Sequence, residues 1–229
     1  MKVKTLHPFD LPPKDAIRLQ AWLAGKVVPR GTFRRKLRRV AGLDCSIGRD
    51  GHVHAAVVVC DAPDWHVTEA VTASAPAPMP YVPGLLSFRE TPILLEALKK
   101  LRSTPDLLLV DGHGVAHPRG LGIAAHIGLH VDVPVVGVAK SILVGTCRKA
   151  GTKYGDWRPL EWKGRRIGLA LTTRDGVTPV YVSVGNRIGL LPAARAVLAT
   201  CTHYRLPEPI RQADMLSRKA ARGGRVLAR

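Results

Sequence analysis

Leu107-Leu108-Leu109-Val110-Asp111-Gly112-His113-Gly114 runs four aliphatic residues into an acid and a glycine-rich turn. The aliphatic run has the length and side-chain bulk of a buried strand. A carboxylate at the tip of such a strand, followed by a tight turn, stands where an α/β sheet presents chemistry to solvent. Asp111 is therefore a candidate site residue.

Two more acids lie within reach of it. Asp44 sits in the strand-like segment Val40-Ala41-Gly42-Leu43-Asp44-Cys45, and Glu90 in Ser87-Phe88-Arg89-Glu90, just before or within the first turn of a helix. Three carboxylates converging among apolar elements repel one another and lose hydration unless a cation neutralises them. All-oxygen ligation points to Mg2+, with Mn2+ as substitute, rather than zinc.

Working outward, Asp50-Gly51 is a turn between the Asp44 strand and a second run, 54–59, and Ala62-Pro63-Asp64 separates that run from a third, 66–73. Three strands joined by short turns make an antiparallel meander. Downstream the pattern alternates: helix about 91–101, strand 107–110, helix about 121–129, strand 135–138, which gives parallel strands with crossover helices. The expected fold is α/β, with a mixed sheet of three antiparallel strands followed by parallel strands, flanked by helices. A first helix is expected over about 12–27, with Ile17, Leu19, Trp22 and Leu23 as core contacts. Residues 147–162 read as a long excursion whose Tyr154, Trp157 and Trp162 either pack in the core or stack on bases. A hairpin through Asp175-Gly176 joins 166–173 to 179–184, and helices follow near 191–200 and 210–221. With no internal repeat or boundary, the 229 residues read as one domain with a frayed basic tail after 222.

Charge narrows the partner. The chain has 35 Lys+Arg against 17 Asp+Glu, a formal +18, which favours a polyanion whose condensed counterions are released on binding. The run Arg34-Arg35-Lys36-Leu37-Arg38-Arg39 reads either as a solvated face or as a hold on backbone phosphates. No stretch combines one apolar and one basic helical face, and none is uncharged over a spanning length, so no membrane partner is expected. Four cysteines without a C-x-x-C pair read as free thiols, and the start lacks an apolar leader, which together place the chain in the cytoplasm. His113 and His117 have a zinc-ligand spacing, but Gly112, Gly114 and Pro118 put them on a loop with only His126 as a third nitrogen.

An Asp on the first strand, a Glu on the next helix and an Asp on the fourth strand resemble the ribonuclease H-like superfamily. Within it, Met79-Pro80-Tyr81-Val82-Pro83-Gly84-Leu85-Leu86-Ser87-Phe88-Arg89-Glu90, Val110-Asp111-Gly112-His113-Gly114 through His117-Pro118-Arg119, Val136-Gly137-Val138-Ala139-Lys140 and Tyr204-Arg205-Leu206-Pro207-Glu208-Pro209 are similar to endonuclease V. The resemblance covers about residues 35–218. It implies a metal-dependent repair enzyme that cuts nucleic acid at the second phosphodiester bond 3′ to inosine, leaving a 3′-OH and a 5′-phosphate. Inosine-containing DNA is the expected partner, RNA is possible, and a monomer is the default. Asp44, Glu90 and Asp111 are implied as metal-binding catalytic acids, with Asp214 from the final helix, where relatives carry Asp or His. Lys140 matches the lysine near the scissile phosphate, and Tyr81 the wedge that braces the duplex when a base is flipped out.

Pro83, Gly84, Leu86, Gly112, His117, Gly122, Ile123 and Ala139 are placed by these motifs to line the pocket for the flipped base. Hypoxanthine offers an acceptor at O6 and a donor at N1, the reverse of adenine, so the wrong base leaves buried groups unpaired at roughly 1–3 kcal/mol each. Two other readings remain: a related nuclease of the same superfamily with a different lesion or junction as substrate, and a non-catalytic nucleic-acid-binding protein on the same fold.

Overall fold

In the computed structural model, which describes residues 1–33 and 36–223, three strands follow one another as an antiparallel meander. They are β1 (Arg39–Ile47), β2 (His52–Asp61) and β3 (His66–Pro76). β4 (Leu107–Asp111) lies parallel to β1 on one side and to β5 (Val135–Ala139) on the other. The crossovers are helices α2 (Leu86–Lys99) and α3 (Ile123–His130). β6 (Trp157–Trp162), β7 (Arg165–Leu171) and β8 (Val180–Asn186) extend the same sheet antiparallel from β5, giving the order β3-β2-β1-β4-β5-β8-β7-β6. The expected mixed α/β sheet is what forms, with three further antiparallel strands added at its far side.

The aliphatic run that opened the reading is buried on both faces. Leu107 and Leu109 pack with Ile210 and Ala213 of α5 (Glu208–Ala221) and Ala193 and Val197 of α4 (Leu190–Ala199). Leu108 and Val110 pack on the other face with Leu94 and Leu98 of α2 and Ile127 of α3. A strand sandwiched between helical layers has no solvent side, which is why its sequence does not alternate. Trimming one such residue, as in Leu109→Ala, is expected to cost about 2–5 kcal/mol.

Gly42 fixes how α5 lies on the sheet: a Cβ at this position would collide with the carbonyl of Pro209, so only glycine lets the start of α5 cross β1 this closely.

Three expectations need correction. In α1 (Pro13–Ala24) the buried face is Ala16, Gln20 and Leu23, whereas Ile17 and Trp22 are exposed. That helix packs on the Met79–Phe88 region and on Leu121 and Ala125, not on the sheet, so small and polar residues form its stripe. α2 starts at Leu86, five residues earlier than expected, and Pro92, which reads as a helix start, lies inside it. Part of the 147–162 excursion is the edge strand β6, with only Leu160 fully buried; Trp157, Trp162 and Tyr154 are exposed rather than core. In the basic run, Arg34 and Arg35 lie outside the described residues, as does the tail beyond 223, and Arg39 is committed to Asp61 through two bonds of 2.8 and 2.7 Å. Among the described residues no helix is long and apolar enough to cross a membrane.

Candidate active site

The register Leu43↔Val110 sets Asp44 and Asp111 side by side at the ends of two parallel strands. Side chains alternate along a strand, so both acids share the face of Val40, Leu107 and Leu109, the face that α5 covers. α5 contributes Asp214, and one carboxylate oxygen from each of Asp44, Asp111 and Asp214 lies within 4.8 Å of the others. Glu90 does not join that triad, because α2 packs on the opposite face and brings it in past the strand ends. It still lies close enough to Asp44 and Asp111 to feel their charge.

The electrostatics are those of acids without enough water. Burial, followed by repulsion from Asp111, lifts Asp44 to about 6, although Ser217 Oγ donates to its Oδ2 at 2.6 Å. Burial and then Asp44 lift Glu90 to about 8. The Lys140 ammonium sits 2.6 Å from Asp111 Oδ2 and 3.3 Å from Asp214 Oδ1. Burial works to lower Lys140, but these carboxylates outweigh it and its pKa is raised, so the side chain is a fixed cation and not a base. Arg218 donates to Asp214 Oδ1 at 2.9 Å. Hard carboxylate donors that repel one another fit a small divalent ion such as Mg2+ or Mn2+ and offer nothing that favours a soft one.

Neighbouring residues explain the surrounding motifs. Arg205 donates to the backbone carbonyls of Lys140 and Pro179 at 2.9 and 2.8 Å, which fixes the main chain that carries the lysine. Ser46, Arg49, Asp50, Arg218 and Arg222 line a cleft of about 840 Å³ in which three arginines outnumber one carboxylate, and Arg218 ties it to Asp214. Three guanidiniums there suit a phosphate backbone.

Tyr81 is 63% exposed, on a loop held down by buried Met79 on one side and by Val82 on the other. Gly84 has φ +79°, and its carbonyl accepts from Gln20 Nε2 at 3.0 Å and from Arg119 Nη2 at 2.7 Å. The same Gln20 amide donates to Leu121 O at 2.8 Å, linking the Gly84 turn to the segment that enters α3. His117 lies beside this turn: its Nδ1 accepts from Arg119 N at 3.2 Å, and the Gly84 backbone works weakly to favour its charged form. Burial, and then the Arg119 charge, push it down to about 4, so it is a neutral brace.

Gly112, Gly122, Ile123 and Ala139 cluster at the ends of β4 and β5, with Ile123 packed against Gly112. The Gly112 N–H is already used by Val138 O at 3.2 Å and the Gly122 N–H by Gly114 O at 2.8 Å, so neither is free for a base. First-turn N–H groups, at Leu86 in α2 and Ile123 in α3, have no intrahelical partner. Pro83 and Leu86 are exposed on either side of Gly84. His113 Nε2 donates to Ser141 O at 3.0 Å and orders the loop, and His113 and His117 form no metal triad with His126. Gln20, Ser217 and Arg218 escaped the sequence reading, and Arg119 entered it only as part of a motif, without a role. The available signal for Gln20 was its place on the Ala16–Gln20–Leu23 stripe.

Comparison with known proteins adds a family. A family model described as Endonuclease V matches residues 21–215. An endonuclease V of Rhodospirillum centenum is 52% identical over 212 residues, covering 91% of this chain and 87% of that one. The crystal structure of the Streptomyces avermitilis endonuclease V superposes with TM-score 0.88 at 38% identity, over 96% of this chain and 97% of that chain. The Ciona intestinalis endonuclease V, in complex with a 24mer DNA containing an inosine followed by a ribo-adenosine, superposes with TM-score 0.79 at 27% identity, over 90% of this chain and 96% of that chain.

Proposed function

The chain belongs to the endonuclease V family and is a nuclease, and from that premise we propose that it is a Mg2+-dependent endonuclease selecting inosine in nucleic acid. The cut falls at the second phosphodiester bond 3′ to inosine and leaves a 3′-OH and a 5′-phosphate, a step in the repair of deaminated DNA. The observation that carries this reading is the convergence of Asp44, Asp111 and Asp214 within 4.8 Å beside the Lys140 ammonium. The Ciona relative's inosine-containing DNA supports the choice of base.

Asp44, Glu90, Asp111 and Asp214 would hold the metal, with Mn2+ as an alternative to Mg2+. When bound, such an ion supplies acidity to a water and charge to a leaving oxygen. Lys140, held at Asp111, stabilises negative charge gathering on the scissile phosphate. Arg49, Arg218 and Arg222 hold the neighbouring phosphates. Tyr81, exposed and pinned at both ends of its loop, fills the gap left by the flipped base. His117, Gln20 and Arg119 keep the Gly84 turn rigid, so that backbone groups near Gly84, Leu86 and Ile123 meet the hypoxanthine edge in fixed positions. Pro83, Gly112, Gly122 and Ala139 shape the walls.

Matched labelled strands carrying one inosine or one adenosine, as DNA and as RNA, test this in Mg2+ and in EDTA. One inosine-dependent cut, absent in EDTA, is expected. Cutting indifferent to inosine moves the chain to another nuclease activity on this fold, and binding without cutting in any divalent ion makes it a non-catalytic binder.

A further inference from the structure

Among the described residues a second group of three candidate ligands lies apart from the acids: His7 from the segment before α1, and His126 and His130, one turn apart on α3. One ring nitrogen from each lies within 4.8 Å of the others. α3 packs on the face of the sheet away from α5, so the two groups belong to opposite layers.

Hydrogen bonds fix the tautomers. His130 Nδ1 lies 2.7 Å from Lys4 O, and a carbonyl only accepts, so Nδ1 carries the proton and Nε2 is a bare lone pair. That Nε2 is buried and has no partner. His7 Nδ1 likewise donates to Pro8 O at 2.7 Å, leaving its Nε2 bare. His126 Nε2 lies 2.8 Å from His7 Nε2 and must be the donor there, which strands His126 Nδ1 as a second buried nitrogen without a partner.

We propose that His7, His126 and His130 form a metal site for a borderline divalent ion, Zn2+ foremost, distinct from the acid cluster. Two of the three rings are already in the ligating tautomer, each with its Nδ1–H anchored on a backbone carbonyl, the outer support that zinc-bound histidines use. Three imidazoles with no carboxylate among them favour zinc over Mg2+, Ca2+ or Mn2+. Burial also holds His126 and His130 below the ordinary histidine range, so the rings are neutral near pH 7 and bind without first losing a charge. Phe9 and Phe88 wall the cluster, with ring centroids 5.5 and 4.8 Å from that of His126. His7 is half buried, whereas His126 and His130 are buried. The ion ties the N-terminal segment to α3, reinforcing the bond from Lys4 N to His130 O at 2.8 Å and the Lys4–Asp132 pair at 2.7 Å.

The full chain, stripped with a chelator and dialysed, is titrated with Zn2+ against a chromophoric competitor and separately with Co2+, in wild type, Asp111→Asn and His7→Gln. One Zn2+ per chain and the visible absorption of tetrahedral Co2+ are expected in wild type and in Asp111→Asn. His7→Gln, with an unchanged far-UV spectrum, is expected to weaken Zn2+ binding at least about a hundredfold and to lose the Co2+ band. No Zn2+ binding by wild type overturns the proposal. So does affinity indifferent to His7→Gln, or affinity lost in Asp111→Asn, which assigns the ion to the acids.

Discussion

Two triads of ligand atoms fit within the same 4.8 Å, and the protein surrounds them in opposite ways. Asp44, Asp111 and Asp214 carry negative charge and are given cations and a hydroxyl: Lys140, Arg218 and Ser217. His7, His126 and His130 are given carbonyls and aromatic rings, and burial holds His126 and His130 below the ordinary histidine range. The first environment suits a hard divalent ion, and the second a borderline one. Proximity of ligating atoms is therefore only half of a metal site, and the groups around the ligands decide the ion and its use.

The sharpest way to break this contrast is Asp111→Asn. Inosine-dependent cleavage, followed as a single turnover, is expected to fall by about a thousandfold or more, because the loss removes several kcal/mol of charge stabilisation. Activity within tenfold of wild type would show that the acid triad is not the catalytic centre. Lys140→Ala comes next, with kcat down about a hundredfold. The Mg2+ concentration at half-maximal rate should fall in the same variant, since a competing cation has left the acids. A rise in that concentration instead would make Lys140 a support of the metal site.

Smaller effects separate the triads without substrate. Glu90→Gln removes a buried carboxyl that faces Asp44, so the chelator-treated protein at pH 8 should melt a few degrees higher, at roughly 2–4 °C per kcal/mol. A lower melting point would mean that Glu90 has favourable partners even without metal. The histidines give the mildest signature. His113, His117, His126 and His130 are all held below their ordinary value of 6.5, first by burial. A depressed folded-state pKa contributes stability above 6.5 that is lost as pH falls, for His117 through about 4. Asp44 and Glu90, raised to about 6 and about 8, act in the opposite sense over the same range. The histidine signature is therefore a steeper decline in the melting temperature of the metal-free wild type than of His117→Gln, and equal slopes would mean that the His117 ring protonates in place.

The sheet was legible because its evidence is local. A four-residue aliphatic run ending in Asp111 already states a strand with two buried faces, and the turns at Asp50-Gly51 and Asp175-Gly176 state hairpins. Asp44 and Asp111 were legible for a related reason, since an acid at the end of a buried strand has few other places to be, whereas Asp214, on a helix far along the chain, entered only through the family resemblance. Gln20 was not, because a polar residue in a helix reads as a solvent face unless one knows that two carbonyls, of Gly84 and Leu121, wait beneath it. β6 was hidden because an edge strand with one fully buried side chain carries almost no hydrophobic pattern. The i,i+4 pair His126 and His130 was visible, but the ring that completes it comes from residue 7, across 119 residues of chain from His126. His113 and His117 have the same spacing, but their loop keeps both from that use.

Gly42 bears on when the enzyme becomes active as well as on how it is built. The contact it permits delivers α5, and with it Asp214 and Ser217, onto a strand made long before. A ribosome that adds about 5–20 residues per second releases Asp44 many seconds ahead of Asp214. Until α5 emerges and seats against Gly42, the growing polypeptide holds an incomplete acid cluster.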